Sequence, residues 1–402
     1  MSRIISKTLG TLALFGAFSV VGFSQAKFEK KFHFNDNEYY DRGNDMIQTS
    51  DGGYLVVGRT VRFHSGGVEA YLVKLSSIGD TVWTKTYGGN GSEEALSVVE
   101  CKDGGYTFCG YSNSNTNGAI DVYVVHTDAQ GKEIWSYTYG GEAIDRGFDI
   151  QQTADGGYII SGESYSFGSG GVNAYLVKLD KDGTELWYRS FGGNGIQEGN
   201  AVIETADGGF VITGATNNFG PGDKDVYLFK VSSKGGQEWV CSFGGTGSEE
   251  GKSLIQTADG GYLVAGYTNS VGKGGDDVYV VKTDEFGQVV WEKNFGGEYD
   301  EQASTIFPTD DGGCVITGYT NSKGAGGVDV YLLRLNSSGE LILEKTFGSR
   351  SDEKGKSVVQ CKDGGFAITG QSISSSGDYS KEKNKEIYVI KTDIKGDSTP
   401  TE

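Results

Sequence analysis

"DGGYLVAGYTNSVGKGGDDVYVVKTDEFGQVVWEKNFGG", running from Asp259 to Gly297, is the stretch that decides the fold. Its opening Asp-Gly-Gly recurs at Asp51, Asp103, Asp155, Asp207, Asp311 and Asp363, always 52 residues apart, so the chain holds seven copies of one unit. A period of this length, made of short strands and turns, marks a propeller with one unit per blade. Within the unit beginning near Gly251, "GKSLIQT" and "GYLVAGYT" flank "ADG". A Gly-containing pair between two strand-like runs is a hairpin signal, because the central residues need positive φ. These two runs are strands a and b. After the looser "NSVGKGG" come "DVYVVKTD" and "VVWEKNF", joined by "EFG" and read as strands c and d. Apolar residues on both faces of b and c fit a blade sandwiched between two others.

The expected fold is therefore all-β, a seven-bladed propeller of four-stranded antiparallel blades. Residues 1–26 are read as a leader, 27–397 as the propeller and 398–402 as a tail. Gly supplies 66 of 402 residues and Pro only 3, which excludes collagen and calls for many tight turns. The seventh unit ends in "EIYVIKTDIKGDSTPTE", with strands a to c but no strand d. In "KFEKKFHF", at residues 27–34, Phe28 and Phe32 repeat the spacing of Trp83 and Tyr87 in strand d. These residues are expected to pair with Ile387 to Lys391, closing the ring and removing an exposed sheet edge. All five tryptophans, Trp83, Trp135, Trp187, Trp239 and Trp291, occupy one slot of strand d and read as interblade wedges; the sixth copy has Leu343 there. Strand b carries Gly in every copy, from Gly58 to Gly370, which predicts close backbone approach between blades.

The N-terminus places Arg3 and Lys7 before an apolar run from Leu9 to Phe23 and small residues at Ser24 to Ala26. This reads as a secretory signal peptide cut after Ala26, so the protein is expected to be exported, periplasmic or extracellular, with no membrane span left after cleavage. The formal net charge is −19 and becomes more negative once the leader is gone, so nucleic acid and anionic membranes are poor partners for such a surface and no nucleic acid is expected. Cys101, Cys109, Cys241, Cys314 and Cys361 are odd in number and lack paired spacing, so they are read as free, buried thiols.

The units resemble the secreted bacterial DGG-repeat propeller proteins, and the resemblance covers residues 27 to 397. It implies the architecture and an envelope association. A weaker likeness is to quinoprotein-type propellers with a tryptophan-docking motif, D-x-x-T-G-x-x-x-W. Here "DKDGTELW" (Asp180 to Trp187) and "DEFGQVVW" (Asp284 to Trp291) are each one residue shorter, so what is shared is the packing device and no quinone is expected.

His33, His64 and His126 occupy unrelated slots, without the spacing of a zinc or iron site. One slot stands out ten residues before each Asp-Gly-Gly: Asp41, Glu93, Asp145, Gln197, Glu249, Glu301 and Glu353. If this slot precedes the innermost strand, the acids gather at one mouth of the channel. Two readings stand: they hold a cation such as Ca²⁺, or each accepts hydrogen bonds from the backbone of the adjoining d-to-a loop. No other cofactor is expected. A second series, Glu69, Asp121, Asn173, Asp225, Asp277, Asp329 and Glu386, opens strand c, each followed two residues later by Tyr, and is read as tying loops together.

The d-to-a and b-to-c loops should share one face, with tight turns on the other. Departures from the repeat concentrate on the looped face: Arg62, Phe63 and His64 in blade one, Phe167 in blade three, Phe219 and Pro221 in blade four, and an insertion around Tyr379 in blade seven. A ligand site is written where a repeat is broken. The function expected is a non-enzymatic binding or scaffold module for a protein or glycan. Its rival is a carbohydrate-active enzyme, a glycoside hydrolase or lyase, using carboxylates at the channel mouth.

Overall fold

Seven four-stranded antiparallel sheets stand around a central axis in the computed structural model, which describes residues 26–33, 40–62, 67–114, 116–373 and 385–398. Blade 1 shows the plan: strand a at Arg42–Gln48, b at Tyr54–Arg62, c at Gly67–Leu75 and d at Thr81–Tyr87, paired in that order. Strands b and c are buried along most of their length, and wholly so in blade 3, while strand d is largely exposed or half-buried, as sandwiching of the inner strands requires. No helix of the described residues is long and apolar enough to cross a membrane.

The ring closes as the sequence predicts. The strand Phe28–Phe32 pairs antiparallel with Lys385–Lys391, with Phe28 opposite Lys391 and Phe32 opposite Ile387, and supplies the fourth strand of blade 7. Phe28 is 4% exposed and takes the place of a tryptophan. Each wedge lies against the c-to-d turn glycine of the next blade: a methyl on Gly131 would meet the Trp83 ring at 2.9 Å, one on Gly287 the Trp239 ring at 2.9 Å, and one on Gly79 the Phe28 ring at 2.6 Å. In blade 6 Leu343 does the same work against Gly396.

The Asp-Gly-Gly turn has a distinct reason for each residue. Its first glycine sits at positive φ, +83° at Gly52 and +86° at Gly260, where an L side chain is strained. At the second there is no room, since a methyl on Gly53 would lie 2.3 Å from the Leu75 carbonyl oxygen. The aspartate accepts from the second glycine's N–H and pairs with a strand-c cation of its own blade, as in Lys74 with Asp51 at 2.9 Å and Arg334 with Asp311 at 2.6 Å. The Thr257 hydroxyl and the Lys282 ammonium hold the Asp259 carboxyl down to about 2.

The strand-b glycines have a different cause from the one expected. Every strand a carries a β-bulge at the same place, after a glycine in five blades, as between Gly43 and Asp45, and after Ala95 and Ala303 in the other two. The bulge drives a strand-a carbonyl toward strand b, so a methyl on Gly58 would lie 1.8 Å from the Arg42 oxygen of the same blade. The close approach is therefore within a blade. All five cysteines are free thiols, and all but Cys241 are buried.

Candidate functional site

The acid series before strand a lies in the seams between blades. Asp41, Glu93, Asp145, Glu249, Glu301 and Glu353 are all at most 2% exposed, as is Gln197, so they form no exposed ring. Glu249 is representative: one oxygen accepts the Gly245 N–H at 2.8 Å and the other the Thr268 hydroxyl at 2.6 Å. Glu93, Glu301 and Glu353 are held the same way by Gly89 and Ser112, Gly297 and Thr320, and Ser349 and Ser372. Asp145 takes the Gly141 N–H and the Ser166 hydroxyl. The backbone N–H of Asp41 donates to Lys385, bridging blades 1 and 7.

Asp145, Glu249, Glu301 and Glu353 each face a member of the second series from the preceding blade. A methyl on Gly244 would lie 2.2 Å from Glu249 Oε2 and 2.5 Å from Asp225 Oδ1, so both oxygens flank one glycine. The same holds for Asp121 with Asp145 at Gly140, Asp277 with Glu301 at Gly296 and Asp329 with Glu353 at Gly348. Among the described residues, Oδ1 of Asp121, Asp225 and Asp329 has no hydrogen-bond partner. Burial, and then the facing acid, raise the carboxyls of Asp225 and Asp277. Where the strand-a slot is Gln197 the facing residue is Asn173, so that one seam is amide against amide. The seams bring acids together in pairs, and no group of three or more His, Cys, Asp or Glu able to hold a metal occurs among the described residues.

The axis is lined by strand a and encloses a channel cavity of about 510 Å³. The bulge turns one residue per blade toward it: Asn44, Leu96, Phe148, Asn200, Lys252, Ser304 and Lys356. Seven blades put five residue types in this slot, the least repeated position of the strand. Asp45 and Asp149 follow in the next slot. Asp149 accepts from the Val202 N–H at 2.9 Å and the Ser97 hydroxyl at 2.9 Å, across a seam on each side. Burial pushes its carboxyl up to about 7, and that of Asp45 upward as well.

On the looped face, Phe219 is 41% exposed beside Tyr227, whereas Phe167 is half-buried against Tyr188, with ring centroids 4.5 Å apart. Tyr165, Val271 and Tyr299 are also exposed there, and were missed because each looks like ordinary loop filling. Arg62 ends strand b, while Phe63, His64 and Tyr379 fall outside the described residues. In blade 2 the turn lock is altered: Cys101 Sγ lies 4.0 Å from His126 Nδ1, whose Nε2 is 3.1 Å from Asp103. Burial raises the Cys101 thiol, and the three stand where other blades have Thr, Lys and Asp, as in Thr49, Lys74 and Asp51, so this is a variant of the structural lock.

No family model matches the chain. The chain is similar to the regulatory protein FlaEY of Caulobacter vibrioides, 25% identical over 260 residues that cover 58% of this chain; it spans 26% of that relative's length. Among solved structures it is similar to the WD40 domain of Neurospora crassa Pan2, at TM-score 0.51 and 10% identity, covering 89% of this chain and 97% of that one. It is similar also to the polysaccharide lyase Uly1, at TM-score 0.50 and 12% identity, covering 89% and 92%. At such identities these structures establish the propeller fold alone.

Proposed function

We propose that this protein is an exported, non-enzymatic binding module that holds a protein or glycan on its looped face. The observation that carries the reading is the asymmetry of the two faces. One is made of tight turns whose charges are locked in pairs, and the other presents loose loops, exposed aromatics and the varied mouth of the channel. Aromatic side chains that are exposed and rigidly seated, as Phe219 is by Tyr227, are suited to partner contact. The similarity to FlaEY, a regulatory protein, also supports the reading. The test is a glycan array and an envelope pull-down with the natural protein and with Phe219→Ser/Tyr299→Ser. Capture lost in the variant supports the reading; capture that survives it moves the site elsewhere.

A second reading has its own observation. Asp149 and Asp45 face the channel with raised carboxyls, as a general acid would need in a carbohydrate-active enzyme. Both oxygens of Asp149 are already engaged by protein donors, which favours the binding module. Product release from a polysaccharide panel, abolished by Asp149→Asn, would reverse that preference.

A further inference from the structure

We propose that the channel mouth between blades 7 and 1 binds an oxyanion, the carboxylate, sulfate or phosphate group of a small ligand, through the ammonium of Lys356. The inference rests on reading the looped face as the binding face and names the chemistry found there.

Its starting point is how the bulge residues are used. Asn44 donates to Glu94 at 2.7 Å and to the Ala95 carbonyl at 2.8 Å; Asn200 repeats this with Glu250 and Gly251. Ser304 donates to the Gly355 carbonyl and Lys252 pairs with Glu250. Each of these polar side chains staples its blade or the next. Lys356 stands in the same slot and lines the same cavity, yet among the described residues its ammonium has no hydrogen-bond or ion-pair partner.

The surroundings make that isolation costly. Arg42 and Arg59 both reach the buried Glu94, at 2.5 and 3.5 Å, so that carboxylate is already shared by two cations, while Asp45 beside Lys356 accepts the Ser357 hydroxyl. Lys354 lies over the Tyr319 ring, 3.9 Å from its centroid. Lys385, at the start of the last strand c, adds another positive charge. Burial, followed by the charges of Arg42, Lys354 and Lys252, pushes the Lys356 ammonium down to about 8. Lys354 and Lys385 are lowered too, burial first. In a protein of net charge −19 this is a local excess of cations, and Lys356 meets it partly exposed on the channel wall, with no counter-ion among the described residues. By contrast, each lysine or arginine at the turn end of strand c, from Lys74 to Lys391, has its own aspartate. An oxyanion entering the channel would supply what the fold withholds from Lys356, and a cavity of about 510 Å³ suits a small ligand or one sugar-sized end of a larger one.

The test is calorimetric titration at pH 6.5 with inorganic phosphate and with glucuronate. The expected result is binding of at least one probe, weakened tenfold or more in Lys356→Gln, retained in Lys356→Arg and unchanged in Lys181→Gln on the outer surface. A preference for glucuronate assigns the site to an acidic sugar; a preference for phosphate assigns it to a phosphate group. Glucuronate stays ionised at high pH, so its binding should also fade from pH 7 to 9.5 as Lys356 loses its proton, with Lys354 and Lys385, lowered in the same direction, adding to the loss. Lys356→Gln should melt no lower than the natural protein, because it removes an unpaired charge. Absence of binding by either probe, or equal binding by Lys356→Gln, overturns the proposal. Both readouts work with no partner present, so loss of partner capture with intact anion binding breaks only the proposed function.

Discussion

The innermost strand of each blade ends in two different ways. At its turn end the Asp-Gly-Gly aspartate meets a nitrogen-bearing side chain from strand c in all seven blades: Lys in five, Arg334 in blade 6 and His126 in blade 2. At its looped end the bulge residue runs from Leu96 and Phe148 to Lys252 and Lys356, with no common chemistry. Where every copy solves the same packing problem, selection on stability keeps the solution. Where only one copy meets a ligand, the other six are free to differ. In this ring, sameness marks what holds the blades up and difference marks what they are held up for.

The largest blow to that picture should come from the closing strand, which belongs wholly to the uniform side. Deleting residues 27–33 exposes the edge of blade 7 and removes the Phe28 wedge, so the protein should aggregate or lose cooperative unfolding, read by calorimetry and size-exclusion chromatography. A truncated chain that melts like the intact one would break the comparison outright. Next come the wedges: Trp239→Ala should cost about 3 kcal/mol. Trp239→Leu, which copies the natural Leu343, should cost less than about 1.5 kcal/mol in the same denaturant titrations.

A smaller effect should follow from making one acid seam imitate the amide seam. The raised Asp225 carboxyl stabilises the fold below its unfolded value near 3.8, and that contribution disappears as pH rises through the higher folded value. Asp225→Asn/Glu249→Gln, which copies the Asn173 and Gln197 pair, should therefore melt higher than the natural protein at pH 8 and lose less stability as pH rises from about 3.8 to 8. A steeper profile in the variant would mean that the seam does not hold its proton. The smallest effect is expected from calcium. Because the strand-a acids already accept backbone and hydroxyl hydrogens, millimolar Ca²⁺ or chelator should leave the melting temperature within about one degree, given that 1 kcal/mol moves a domain of this size by only a few degrees. A larger shift would assign a cation to the seams.

The architecture was legible because it rests on quantities a linear sequence displays: the interval between aspartates, the shared slot of Trp83 and its equivalents, and the missing last strand matched by Phe28 and Phe32. The seam pairs were half legible. Both series could be seen, but Asp225 and Glu249 belong to neighbouring blades, and only the curvature of the ring brings them to the same glycine. The bulge was hidden because it is a property of register, and its trace, Gly58, was read as contact between blades instead of relief within one. Lys356 went unnoticed for the same reason. Its signal was present as the most varied slot of strand a, but without the bulge nothing said that this slot faces the axis.

Closure by Phe28–Phe32 also sets the order in which the molecule can be finished. A strand made before the seven repeats pairs with strand c of the seventh, Phe28 lying opposite Lys391, so blade 7 stays incomplete until all seven repeats have been synthesised. Every earlier blade can assemble from neighbouring sequence, but the latch waits, with its two halves separated by all the blades between them. Until they meet, an unsatisfied strand edge travels with the nascent chain and is open to any other strand that reaches it first. The same stitch that gives the mature ring no beginning and no end makes its birth the most vulnerable moment of its life.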